Sequence, residues 1–380
     1  MQTEPLKADP PKRKRRWFQF SLWTLMIFTL ICAIPCALLG RKIEQKRRER
    51  EAVEALRKLG GKVFFDYVDD KPAGPEWLRR LLGENFFNET EQVVLGLDDK
   101  NGDALNNVMC LTELQVLFLE GEYVTDAGLH NLGNLTKLRV LGLNRTSVDD
   151  AGLAKIKGLA KLRELYVDRA DLSDAGLANI SGLPQLQILS LSSVQISGSC
   201  LSNFKHLHQL RLDITTMNDA GLACIGDLTE LQLLYLGGTQ ITDVGLANIG
   251  GLAKLQDLKL YDTSIGDAGL ANLKALTALQ TLSLSETRVT DNGLTNLRGL
   301  TQMESLDLSH TNVGDAGLVN LKGLSHLHDL ELDDTEVSDF GLTSLKEMKH
   351  LQWLGLGDTK VTDAGVRELQ TALPHCEIRH

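Results

Sequence analysis

The chain has 380 residues, of which 43% are hydrophobic and only 5% aromatic, and its formal net charge is −10. That charge is divided: residues 1–50 carry 12 Lys or Arg against 4 Asp or Glu, a balance of +8, while the remaining 330 carry 28 against 46, a balance of −18. An acidic body of this kind excludes nucleic acid, whose phosphates need a basic surface. The six cysteines, at 32, 36, 110, 200, 224 and 376, have neither zinc-ligand spacing nor the density of a disulfide scaffold, and Cys110, Cys200 and Cys224 are read as buried free thiols.

Residues 1–16 are a basic tail containing Lys12, Arg13, Lys14, Arg15 and Arg16 in one run. Residues 17–40 are 24 positions without a charge, rich in Leu, Ile, Met and Phe. As a helix they reach about 36 Å, enough for a hydrocarbon core of about 30 Å, so 17–40 is read as one transmembrane helix in contact with the lipid bilayer. A cleaved signal peptide has a shorter apolar region and a small-residue cleavage site. Ile31 and Pro35 do not fit the small residue expected before a lipidated Cys32 or Cys36. Basic residues stand on both sides of the span, so the positive-inside rule leaves its orientation open, and both flanks suit anionic lipid head groups.

Residues 41–60 place Ile43, Val53, Leu56 and Leu59 among charged helix formers and end in Gly60-Gly61, which predicts a juxtamembrane helix. Residues 61–92 are expected to act as an N-terminal cap: a strand over 62–68, a turn at Gly74-Pro75 and a short helix from Glu76, with Trp77, Phe86 and Phe87 covering the open end of the repeat array beyond residue 92.

From residue 93 to residue 380 one pattern repeats. Eleven units begin at Leu114, Leu138, Leu162, Leu186, Leu207, Leu231, Leu255, Leu279, Met303, Leu327 and Leu351; nine of the ten steps are 24 residues and one is 21. Within a unit, Leu141 and Leu143 alternate with Val140 and Gly142, a period of two that turns the leucines inward from a short strand. Val148, Leu153, Ile156 and Leu159 continue as an apolar helical stripe. No unit can bury this face alone, and stacking buries it. A shorter first unit at 93–113 and a broken pattern at 372–378 are read as terminal caps, making 93–380 one domain.

The repeat L-x-x-L-x-L-x-x-T-x-[IV]-[TSG]-D-x-G-L resembles the leucine-rich repeat family over 114–373. It is most similar to the subtype with Thr where the common repeat has Asn, as in cysteine-containing and F-box-associated repeat proteins. No F-box precedes the array, which removes the ubiquitin-ligase reading. The start W-F-Q-F-S-L-x-T-L and the segment E-A-V-E-A-L-R-K-L-G-G-K-V look like single-pass leucine-rich repeat proteins of planctomycete-type bacteria, which implies a bacterial cytoplasmic membrane location. The fold class implied is α/β: a leucine-rich repeat solenoid, a curved horseshoe with a parallel β-sheet on the concave face and short helices outside, preceded by the transmembrane helix.

Asp126, Asp150, Asp174, Asp219, Asp243, Asp267, Asp291, Asp315, Asp339 and Asp363 should form a ladder at about 5 Å spacing. Each is expected to cap the helical turn it opens, with the Gly two residues later permitting a tight bend. A calcium edge is the weaker alternative, because one Asp per coil does not supply six converging oxygens. The Thr column at 146, 215, 239, 263, 287, 311, 335 and 359 is expected to bond to neighbouring turns. Unit four has Val194 for Thr, Gly198-Ser199-Cys200 for D-x-G and the three-residue deletion, which predicts a kink between 194 and 207.

Binding residues are expected on the concave strand face, where side chains vary without cost to folding. The candidates are Phe118, Tyr166, Arg211, Tyr235, Asp257, Tyr261 and Trp353, with an acidic patch of Asp307, Asp329, Glu331 and Asp333 that suits a protein partner with a basic surface. The small residues among them, such as Gly142, Gly237 and Gly355, are read as merely solvated sheet. The nine histidines form no metal motif, no nucleophile or phosphate-binding motif occurs, and neither enzyme, cofactor nor small-molecule substrate is expected. The function anticipated is a membrane-anchored protein-interaction module. A structural envelope spacer without a discrete partner is the alternative.

Overall fold

The computed structural model describes residues 22–66, 72–82, 85–96 and 103–380. The expected basic tail at 1–16 lies outside them. Two compact units divide the chain, Met1–Glu51 and Ala52–His380.

The first described element is helix α1 (Leu22–Lys58). The expected transmembrane helix at 17–40 is not supported: among the described residues no helix is long and apolar enough to cross a membrane. Residues 17–21 of that segment, and eight side chains between 22 and 35, lie outside the described residues. The charged residues expected to form a helix are helical through Lys58, and α1 continues into them without a break. Ion pairs at helical spacing hold that part together: Glu44 to Arg47 at 2.8 Å and to Arg48 at 3.2 Å, and Lys46 to Glu49 at 2.7 Å. The stop lies where the glycines predict it. Gly60 adopts φ +81°, and Gly61 N–H bonds back to the Leu56 carbonyl at 2.9 Å, the six-to-one bond of a Schellman ending.

Ala52, Val53 and Leu56 on the last turns of α1 are buried in the core of the larger unit. Strand β1 (Lys62–Phe65) then pairs antiparallel with β2 (Thr90–Gly96), with α2 (Glu76–Leu82) between them. Phe86 is buried, but Trp77 is 67% exposed. After α3 (Asp103–Val108) come the coils, each contributing a strand: β3 (Val116–Glu120), β4 (Val140–Gly142), β5 (Glu164–Tyr166), β6 (Ile188–Ser190), β7 (Gln209–Arg211), β8 (Leu233–Tyr235), β9 (Asp257–Lys259), β10 (Thr281–Ser283), β11 (Ser305–Asp307), β12 (Asp329–Glu331), β13 (Trp353–Gly355) and β14 (Glu377–Arg379).

All lie in one sheet in chain order, parallel from β2 onward. The central leucine of each coil, from Leu141 to Leu354, is fully buried between the sheet and the helical side. Strands sit about 4.8 Å apart and packed helices farther, which places the sheet on the inside of the curve.

The helical side is short: α4 (Asp150–Leu153), α5 (Asp174–Ile180), α6 (Asp219–Ala223), α7 (Asp243–Leu246), α8 (Asp267–Leu270), α9 (Asp291–Leu294), α10 (Asp315–Leu318), α11 (Asp339–Leu342) and α12 (Asp363–Ala372). Every one starts on the repeat's Asp. The expected kink in unit four is confined to this side. Gly198 takes φ +89° and a 3-10 turn at Leu201–Asn203 replaces the helix, while Ile188↔Gln209 pairing carries the sheet through the deletion in register.

The Thr column corrects its expectation. Each hydroxyl bonds within its own coil to the carbonyl three residues earlier, as in Thr239 to Leu236 at 2.6 Å and Thr287 to Leu284 at 2.6 Å. The residue just before this column is left-handed in coil after coil, at Arg145, Arg169, Ser193, Ile214, Asp262, Glu286, His310, Asp334 and Asp358, with φ between 50° and 60°. An inter-coil bond from the same N–H fixes that conformation, as in Ile214 to the Gly237 carbonyl at 2.7 Å.

Candidate functional site

Two surfaces carry the residues singled out by the sequence: the edge bearing the Asp ladder and the open face of the sheet. On the edge, the helix caps are not the ladder aspartates but the residues before them, Ser173, Asn218, Thr242, Thr290, Ser338 and Thr362, whose side chains accept from the helix N-termini. The ladder aspartates act between coils. Asp267 Oδ1 accepts from Thr290 N–H at 2.8 Å and Oδ2 from its hydroxyl at 2.7 Å, and Asp219 with Thr242, Asp315 with Ser338 and Asp339 with Thr362 repeat the pair of bonds. Those bonds hold the Asp339 carboxyl below the usual range.

The fixed spacing to Gly has the same cause. A Cβ at Gly293 would stand 2.4 Å from Asp267 Oδ1, at Gly245 2.2 Å from Asp219 and at Gly365 2.1 Å from Asp339. Close approach by the preceding coil's carboxylate, rather than a bend, demands glycine there. Their oxygens are engaged between coils in this way, and among the described residues no group of three or more His, Cys, Asp or Glu is placed to hold a metal ion.

The sheet face gathers the candidates into three groups. At the N-terminal end Phe118 and Tyr166 face each other across β4, ring centroids 6.1 Å apart. Gly142 is not bare sheet: a Cβ there would meet the Phe118 ring at 2.2 Å. Tyr166 donates its hydroxyl to Glu164 at 2.9 Å, and burial together with that carboxylate pushes its pKa up to about 12.

In the centre, Tyr235 on β8 lies between two cations, with the Arg211 guanidinium 5.4 Å and the Lys259 ammonium 4.2 Å from its ring centroid. Its hydroxyl donates to Asp257 at 2.7 Å; burial first, and this carboxylate second, raise its pKa. Beside it the Tyr261 ring fills the space over Gly237, where a Cβ would meet it at 2.2 Å. Asp213 joins the group. It accepts from Gly237 N–H at 3.1 Å and from the Tyr261 hydroxyl, and burial raises its carboxyl pKa despite both bonds.

At the C-terminal end the acidic patch is largely committed to neighbours. Glu331 accepts from the Trp353 indole at 2.6 Å, Asp307 from Ser283 at 2.9 Å and from Ser309 N–H at 3.0 Å, and Asp333 from Gly357 N–H at 2.6 Å. Asp329 lies 3.3 Å from His328 Nδ1. Burial, with Asp333 and Asp307 nearby, raises the Glu331 pKa. Asp213 and Lys259 were outside the candidate set, and the period-two outward pattern at their coils is the signal that carries them.

The fold and face invite comparison with known proteins. No curated protein shows significant similarity to the chain. Among solved structures, an internalin of Listeria monocytogenes is 20% identical over 76% of this chain and 86% of its own, with a TM-score of 0.58, a likeness of fold alone. A leucine-rich repeat protein of Leptospira interrogans is 17% identical over 82% of this chain and 94% of its own, with a TM-score of 0.49. The family described as leucine-rich repeat region matches residues 178–367, half of the 380. By that match, over coils that stack strand on strand in one parallel sheet, the chain belongs to the leucine-rich repeat family.

Proposed function

We propose that the chain is a tethered protein-interaction module that engages a partner on the open face of its sheet. Solenoids of this kind offer extended concave surfaces for binding, and one observation carries the reading here: Tyr235 held between Arg211 and Lys259 with Tyr261 alongside, a rigid aromatic and cationic platform on a half-buried sheet. Aromatic and Arg side chains dominate interface energetics. The carboxylates of β11 and β12 add a negative field at one end, which favours a basic patch on the partner. The tether is residues 17–40, supported by their 24 uncharged positions and by the exposed Trp23, Met26, Ile34, Leu38 and Leu39, with a bacterial cytoplasmic membrane as the surface held.

The test is in-cell crosslinking and capture with the tagged full chain. Lys259→Glu should reduce partner capture by about tenfold, as expected when a charge at an interface is reversed. Val244→Glu, on the helical side where Val244 is 76% exposed, should leave capture unchanged. Equal capture by both variants would remove the sheet face as the binding surface, and failure of the unmutated chain to capture any partner would leave the spacer.

A further inference from the structure

A second site lies off the sheet face. The residue before the first leucine of each coil varies as Glu113, Lys137, Lys161, Gln185, His206, Glu230, Lys254, Ala278, Gln302, His326, His350. His326 and His350 take this place in two successive coils, 24 residues apart, and with His375 of the last coil and His328 they line one open cleft of about 920 Å³ together with Lys349 and Glu377. His326 Nδ1 is 2.9 Å from the Thr301 carbonyl, so it donates there. His328 stands between Glu304 at 3.6 Å and Asp329 at 3.3 Å. Lys349 donates to the Ala372 carbonyl at 2.9 Å. None of this places three ligands about a metal.

The charges around the cleft change sign with pH. With imidazoles neutral, Lys349 faces Glu377, Glu304 and Asp329, a balance of −2; with four imidazoles protonated the balance is +2. Imidazole is the side chain that makes this change between about pH 5 and 8. We propose that this cleft is a binding site for a small multivalent oxyanion, one that fills at mildly acid pH and empties above neutrality. The donors come from successive coils around one cleft, which suits an anion with several charged oxygens rather than a single carboxylate.

The probe is inositol hexasulfate, whose own charge is constant over the window, titrated into the full chain by calorimetry. The Lys and Arg residues of 1–50 keep their charge across this window, so the quantity read is the pH-dependent component. That component should be at least about tenfold tighter near pH 5.5 than near pH 8. His326→Gln, His350→Gln and His375→Gln combined should abolish it, and His206→Gln should not. All four side chains are exposed, and a matching melting temperature confirms that the combined variant is folded. Binding independent of pH, or a pH-dependent component that survives in the combined variant, overturns the proposal.

Discussion

The edge and the face of this solenoid are built from the same coils and obey opposite rules. Along the edge the chain repeats itself: Asp, then two residues on Gly, with a hydroxyl or amide before the Asp in most coils and Asp149, Gly266 or Gly314 in the others. Along the face the outward residue just after the buried leucine runs Gly142, Tyr166, Ser190, Arg211, Tyr235, Lys259, Ser283, Asp307, Glu331, Gly355. The edge repeats because each ladder Asp must reach the next coil's N–H, and its hydroxyl where there is one, past a missing Cβ, so one geometry serves coil after coil. The face is free to differ because its core contacts are made by the alternate residues pointing the other way. Internal repetition therefore separates what stacking requires from what it leaves to function.

The largest effect should come from breaking the edge. Glycine to alanine inside a helix normally stabilises by about 0.5–1 kcal/mol. Gly293→Ala should do the reverse, because its Cβ would meet Asp267 Oδ1 while two bonds hold that oxygen's carboxylate in place; overpacking of this sort costs about 1–3 kcal/mol. In an Asp267→Ala background the clash is gone and the same change should become neutral or favourable, apart from the loss already caused by Asp267→Ala. Chemical denaturation of the four combinations measures the coupling. Additive effects would mean that the glycine column answers to backbone conformation alone.

A smaller effect tests the strip that joins the edge to the face. Ile214 is β-branched, 59% exposed and held at φ 57°, a conformation that costs an L-residue about 1–2 kcal/mol and that Asn tolerates far better. Ile214→Asn should therefore raise stability by about 1 kcal/mol. A lowered or unchanged denaturation midpoint would show that the exposed Ile214 side chain contributes more than its strain.

How far each region could be read from sequence depends on the range of its interactions. The coil period, the buried leucines and the outward positions were legible because they depend on a period of two and a repeat of 24. The Asp column was legible as a ladder, but its role was displaced by one residue. Gly266 and Gly314 interrupt the true cap column and make the unbroken aspartates look like the caps. The left-handed strip carried a broken signal: Gly238, Asp262, Asp334 and Asp358 suit such a conformation, but Arg145, Ile214, Glu286 and His310 do not mark it, and their N–H groups bond to the next coil. On the face, Asp333 looked like a free charge because Gly357, the residue whose N–H it accepts, lies in the next coil.

The least perturbing test concerns His310, in that same left-handed strip and 2.9 Å from Asp334, its counterpart one coil on. The bond to the Asp334 carboxylate is the largest influence and raises the imidazole's pKa above 6.5. A histidine raised in the folded state contributes stability that is complete below its unfolded pKa and disappears as pH rises through the folded one. Both groups are largely exposed, so solvent and salt screen the contribution and the titration itself is the better observable. By NMR the His310 midpoint should lie above that of the other exposed histidines and fall back to the ordinary value in Asp334→Asn. A midpoint indifferent to Asp334 would mean that adjacent coils do not couple through this strip, and that the inter-coil order of the edge stops short of the face.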